Sequence, residues 1–178
     1  ALMPSRARIS GNCPPAGSWV DFVGYGTGVT CSEGGSPVPN LTLTGSAQRL
    51  NNGCTDTNVN GSDFTVVNSS SPGPRNSAYP LNSCTGAPTP TPTAPPTPSQ
   101  GAAVVISQVY GSSGGVGSPW KSDFVELFNR GSTPVNLYGW SLQYANTDSA
   151  TWQKTLFPIG TVIQPGRYLL VNHGGSGT

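Results

Sequence analysis

The chain has 178 residues, of which 8 are Lys or Arg, 7 are Asp or Glu and 1 is His, for a formal charge of +1. That charge offers no basic field to nucleic acid, no apolar run reaches the roughly 18 residues of a membrane span, and the scarcity of strong helix formers excludes a helical bundle. With one His and few acids, catalysis by imidazole, paired carboxylates or a metal has little to draw on, so the composition points away from an enzyme.

Residues 1–12, ALMPSRARISGN, hold no apolar stretch of the kind that marks a secretory leader. Residues 18–26, SWVDFVGYG, read as a strand whose glycines mark a bend or a close approach. Asn52-Gly53 follows a run ending in Leu50 and predicts a tight turn. Residues 62–67, SDFTVV, read as a further strand. All four Cys of the chain, Cys13, Cys31, Cys54 and Cys84, fall in this first region. An even count in a Gly-, Asn- and Ser-rich segment predicts two disulfides and therefore an oxidising compartment. Zinc is disfavoured, because the Cys are separated by 17, 22 and 29 residues and no CxxC pair occurs. Three pairings are open; Cys13–Cys31 with Cys54–Cys84 is preferred because both close short loops.

The chain then changes character. Residues 85–103, TGAPTPTPTAPPTPSQGAA, carry six prolines, mostly alternating with Thr. Proline fixes φ and lacks a donor, so the stretch predicts an extended polyproline-II linker that spans up to about 59 Å. Thr89, Thr91, Thr93 and Thr97 resemble the O-glycosylation acceptors of stalk sequences. Strands resume at residues 104–110, VVISQVY, and at residues 123–129, DFVELFN, where Phe124, Glu126 and Phe128 face one way and Val125 and Leu127 the other. In WSLQY, residues 140–144, Trp140, Leu142 and Tyr144 alternate with polar neighbours. Pro165-Gly166 predicts a turn just before a last strand in QPGRYLLVN, residues 164–172. Turn signals at this spacing suit an antiparallel sandwich. Each side of the linker offers only a few short strands, so each is expected to leave an apolar face that needs a partner.

Few side chains suggest chemistry. Asp56-x-Asn58-x-Asn60-Gly61-x-Asp63 matches the first half of a calcium loop, but Val67 stands where the bidentate acid belongs. The competing reading is a turn whose Asn and Asp side chains bond their own backbone. His173, the single His, lies in NHGGSG and reads as a surface polar group. Asp123 and Glu126 are three apart on a strand and so make no local acid–base pair; Glu126, among apolar neighbours, is expected to accept structural hydrogen bonds. Asn40, Asn60 and Asn68 open N-glycosylation patterns. Trp19, Trp120, Trp140 and Trp152 are expected to pack rather than to form a sugar platform.

Residues 104–144, VVISQVYGSSGGVGSPWKSDFVELFNRGSTPVNLYGWSLQY, followed by IQPGRYLLVN, resemble the start of a bacterial lamin-tail domain. GNCPPAGSWVDFVGYG, then CSEG, NNGCTDTNVNGSDFT and PRNSA with a closing Cys, resemble the second half of secreted versions of the same domain. The resemblance implies an all-β, immunoglobulin-like sandwich met out of phase. Residues 1–84 are then the C-terminal half of a domain, 85–103 the linker, and 104–178 the N-terminal half. It further implies a non-catalytic, extracellular or cell-surface module without cofactors. Its partners would be other copies of itself, in tandem repeats or a head-to-tail filament completed by half-domain exchange. The alternative is an accessory or glycan-binding domain of a secreted hydrolase such as an extracellular nuclease. The sequence does not decide between pairing of the halves within one chain and between chains; the filament is the expectation favoured, because a stiff linker costs less extended than folded back.

Overall fold

A computed structural model of the chain describes residues 1–68, 73–84, 102–146 and 151–173. Ten strands build it: β1 (Leu2–Met3), β2 (Ser46–Arg49), β3 (Phe64–Val67), β4 (Val104–Tyr110), β5 (Asp123–Asn129), β6 (Val135–Asn136), β7 (Ser141–Tyr144), β8 (Gln153–Leu156), β9 (Val162–Ile163) and β10 (Tyr168–His173). A five-stranded antiparallel sheet runs in the order β10-β5-β4-β2-β3, and a three-stranded sheet in the order β1-β7-β8. A two-stranded ribbon pairs β6 with β9. The fold is the immunoglobulin-like β-sandwich that the sequence predicts.

β-branched and aromatic side chains make β4 and β5 the centre of the larger sheet. Their ladder runs from Val104↔Asn129 to Tyr110↔Phe124, with a bulge between Ile106 and Gln108. The bulge changes the face parity of β4, so Ile106 and Val109 both reach the inner core. There they meet Val125 and Leu127 of β5, Leu142 of β7 and Leu2 of β1. The opposite face of the same sheet is also covered: Val105, Phe128 and Tyr168 pack against Cys54 and Cys84. Burial on both faces explains why DFVELFN lacks a polar side.

The pairing that the sequence leaves open is made here within one chain. β2 of the first region lies between β3 and β4, with Ala47 opposite Val109 and Gln48 opposite Gln108. β1 pairs with β7 through Leu2↔Leu142 and Met3↔Ser141. The segment after β1 continues the clasp. Ser141 Oγ donates to the Ser5 carbonyl at 2.8 Å, and Gln143 Nε2 donates to the Ala7 carbonyl at 2.6 Å. Gln143 Oε1 in turn accepts from the Ile9 amide at 2.9 Å. The apolar face of each half is thus satisfied by the other half of the same molecule.

Two expected strands form otherwise. Residues 18–26 make only single bridges, Leu2↔Asp21 and Tyr25↔Val38. Asp21 is turned inward and Gly24 lies so close to the Cys31 backbone that a Cβ would stand 2.0 Å from that carbonyl oxygen, so the segment has no continuous ladder. Residues 62–67 enter as a helical turn, Asn60–Asp63, and become strand only at Phe64–Val67. The turn at Asn52-Gly53 is a 3-10 turn, Asn51–Gly53, with Asn51, Asn52 and Gly53 all at positive φ. Disulfides join Cys13 to Cys31 and Cys54 to Cys84.

Candidate functional site at the joint of the two halves

The joint holds a buried ionic network, unexpected in a chain that is only 8% charged. Arg49, at the end of β2, is its hub, with a fully buried side chain. Its Nη2 donates to both carboxylate oxygens of Asp21 at 2.9 and 2.7 Å. Its Nη1 faces the Thr55 carbonyl, Asp56 and Asp63 at 3.1, 3.3 and 3.5 Å. Its Nε donates to the Ile106 carbonyl at 2.8 Å, and the Phe64 ring lies 4.5 Å from the guanidinium carbon. Asp21 Oδ2 accepts from the Ile106 amide at 2.5 Å, just before the β4 bulge. One Arg–Asp pair from the first half thus binds the backbone of the second. Arg130 extends the network, reaching Asp56 at 3.4 Å and the Ala102 and Cys54 carbonyls at 2.9 and 3.1 Å.

A second buried pair locks the outer face. Arg75 bonds Glu126 through Nη2 at 2.8 Å and through Nε at 3.1 Å to each carboxylate oxygen, and its amide donates to Oε2 at 2.5 Å. Ser107 Oγ donates to the same carboxylate at 2.6 Å. The guanidinium also lies 4.2 Å from the Tyr168 ring centroid. Glu126 therefore has the structural role expected of it. Arg75 and Arg49 went unremarked in the sequence. The available signal was a rare charge set against apolar neighbours, as in Val20-Asp21-Phe22, Arg49-Leu50 and Val125-Glu126-Leu127.

The calcium pattern is not assembled as a cation site. Asp63 accepts from the Thr57 amide at 2.9 Å to each oxygen, and from Thr57 Oγ1 and the Val59 amide at 2.7 and 3.3 Å. Asn60 accepts from the Gly24 and Glu33 amides at 2.8 and 3.1 Å and donates to the Phe22 carbonyl at 2.9 Å. Asp56 faces Arg49 and Arg130, and Asn58 is a turn residue at positive φ. Their oxygens point at different partners. Asp21, Glu33 and Asp56 do bring carboxylate oxygens within 4.8 Å of one another. Arg49 already supplies positive charge to Asp21 and Asp56 at that place.

Glu33 is held in this cluster by Trp19 Nε1 at 3.0 Å, the Phe22 amide at 3.2 Å and Asn60 Nδ2 at 3.3 Å. Burial first, and then the neighbouring Asp21 carboxylate, push its carboxyl from 4.5 up to about 8. Burial and then Asp21 also push Asp56 up, against Arg49 and Arg130. A carboxyl whose folded pKa is raised keeps a proton that the unfolded chain has lost. Its contribution is present at low pH and fades as pH rises from about 4.5 through about 8. Burial lowers the pKa of His173, so its opposing contribution is confined to pH below the ordinary 6.5. Burial lowers the pKa of the Ala1 amino group from 8.0 to about 5, a contribution that rises with pH over the same range. The effect of Glu33 is therefore read as a difference: relative to Glu33→Gln, the native chain should lose on the order of 1–2 kcal/mol between pH 6.5 and 8, a few degrees in melting temperature. Melting both proteins across this range measures the difference; equal slopes would remove Glu33 as its source.

The remaining predicted positions are dispersed. Asn40 and Asn68 are exposed, each with Oδ1 accepting a hydrogen bond, from the Thr27 amide and from Thr42 Oγ1. Asn60 is fully buried, so the folded chain presents no acceptor for a glycan there. Thr89, Thr91, Thr93 and Thr97 lie outside the described residues, as does the 85–101 part of the expected extended linker. Trp152 is buried against Phe22, with Nε1 donating to the Gly11 carbonyl at 2.9 Å, while Trp19, Trp120 and Trp140 are half-buried. His173 closes β10 opposite Asp123 at one end of the sandwich. Among the described residues no helix is long and apolar enough to cross a membrane.

Residues 97–178 match the family model of the lamin tail domain. No curated protein and no solved structure gives a match to the chain.

Proposed function

We propose, from the match of residues 97–178 to the lamin tail domain model, that the chain is a non-catalytic structural or interaction module acting outside the cell. In this reading residues 1–84 are the C-terminal half of the same domain, residues 104–178 its N-terminal half, and residues 85–103 the linker. What supports it is the use to which the acidic side chains are put. Of seven Asp and Glu residues, Asp21, Asp56, Asp63 and Glu126 are ion-paired inside the fold, and Glu33 is hydrogen-bonded among them. Asp21, Asp56 and Glu126 hold one half to the other, through Ile106, Arg130 and Arg75, while Asp63 and Glu33 brace the first half beside them. Two disulfides suit the oxidising space outside a cell, where the Thr residues of the linker would carry O-linked sugar.

A closed chain is the ground unit of this proposal. The head-to-tail polymer expected from the sequence would use the same contacts, exchanged between copies, since swapping repeats an existing interface. Light scattering over rising concentration should find a monomer of 18.3 kDa plus any linker sugar. After proteolytic cutting within residues 85–101, the two halves should still elute together. Separation of the halves after cutting would refute the module. A ladder of multiples before cutting would replace the closed unit by the exchanged filament.

A further inference from the structure

We propose that the cleft at the His173 end of the sandwich binds a single sugar ring. The cleft opens where the two sheets end together. β4 ends there at Tyr110, β5 begins at Asp123, β7 ends at Tyr144, β8 begins at Gln153 and β10 ends at His173. Tyr25, from the first half, enters between them. The cavity measures about 150 Å³. That admits one ring-sized group and no longer chain at depth.

Its walls divide by chemistry. Val109, Phe124 and Val125 form an apolar floor, and all three are buried. Tyr144, 38% exposed, stands at the rim and brings an aromatic ring to it. Polar groups converge from three strands. Asp123 is oriented by the Ser113 amide, which donates to Oδ1 at 2.8 Å. Gln153 adds an exposed amide that both donates and accepts. His173 carries the observation that calls for a ligand: its Nε2 is buried and has no hydrogen-bond partner among the described residues. A buried polar atom left unpaired costs stability that a partner returns. Tyr25 is held in place by a side-chain hydrogen bond with Tyr144 and by close packing, since a Cβ on Gly111 would stand 2.8 Å from its hydroxyl.

This combination selects among ligand classes. Asp123 disfavours an anion. A purely apolar guest would leave His173 Nε2 unsatisfied. A pyranose offers apolar C–H faces to the Tyr144 ring and hydroxyls that both donate and accept around its edge, which is the complement of the cleft. The inference rests on the cleft alone and holds whether the halves close within one chain or between two.

The test is an NMR titration of the full isotope-labelled chain with the methyl glycosides of glucose, galactose and N-acetylglucosamine, and in parallel with tetramethylammonium. Saturable shifts of the His173 ring and Tyr144 signals with at least one glycoside are expected. Gln153→Ala changes an exposed position and should weaken the affinity about tenfold at unaltered melting temperature; Tyr144→Ala should weaken the affinity as much. His173→Ala should do the same. No saturable shift with any glycoside would overturn the proposal. So would binding that survives both Tyr144→Ala and His173→Ala, or saturation by tetramethylammonium alone, which would make this a cation site.

Discussion

Replacing Arg49 with Met should lower the stability by about 3–5 kcal/mol, the largest effect of any single substitution at the joint. Met keeps the length of the side chain and removes its charge. Asp21, Asp56 and Asp63 then remain buried at 2, 4 and 0% side-chain exposure without their common cation. The loss comes from those uncompensated carboxylates more than from the bonds themselves. Two corollaries separate this account from simple loss of packing. The penalty should be smaller at pH 5 than at pH 8, because protonation discharges the stranded acids. Adding Asp21→Asn to Arg49→Met should recover part of the loss, since the Asn side-chain oxygen can still accept from the Ile106 amide. Urea unfolding of the single and double variants at both pH values measures all of this. A penalty independent of pH, with no recovery in the double variant, would mean that the network is inert filling.

The frame of the fold was legible because it rests on patterns that a strand imposes on its own sequence. Residues 104–110 and 123–129 are continuous apolar and β-branched runs, and they are strands over those same residues. The turn at Pro165-Gly166 precedes β10 as its chemistry requires, with Gly166 at positive φ against the Asn82 backbone. Residues 18–26 misled for a physical reason. They alternate like a strand, but Asp21 points inward to Arg49, 28 positions along the chain, and no local pattern announces such a partner. Asp56, Asn58, Asn60 and Asp63 carried two readings, a calcium loop and a self-bonded turn. Alternating oxygen ligands and alternating backbone caps share one sequence signature, and only the arrival of Arg49 and of the Gly24 and Glu33 amides decides between them.

The same distinction explains why the cleft at His173 was invisible. Its polar groups come from the ends of strands widely separated in sequence, and a lone His in a Gly-rich stretch carries no periodic signal. The joint and the cleft also use their residues differently. At the joint, charge is paired until little remains to bind anything else. At the cleft, a buried nitrogen is left without a partner among the described residues, beside a partly exposed tyrosine. A module whose stability and recognition lie in separate places can vary one without loosening the other.

Loss of the Cys54–Cys84 bridge should cost about 3–4 kcal/mol by loop-closure entropy, since it spans 30 residues. The Cys13–Cys31 bridge, spanning 18, should cost little less by that reasoning. What distinguishes the two is where the structure opens. The segment closed by Cys54 and Cys84 forms the cover of the outer sheet face, over Val105, Phe128 and Tyr168. It carries Arg75, the partner of the buried Glu126, and Asn82, whose amide donates to the Gly166 carbonyl at 3.1 Å. Gly53, beside the bridge, lies so close to Phe128 that a Cβ there would stand 2.7 Å from the ring. Releasing the segment therefore exposes an apolar sheet face and strands a buried carboxylate together. Cys54→Ala with Cys84→Ala should speed hydrogen exchange at the β5 and β10 amides well before global unfolding, while Cys13→Ala with Cys31→Ala should leave those amides protected to the global limit. Equal exchange in the two double variants would show that the bridge acts only on the unfolded chain and not as the clamp of this face.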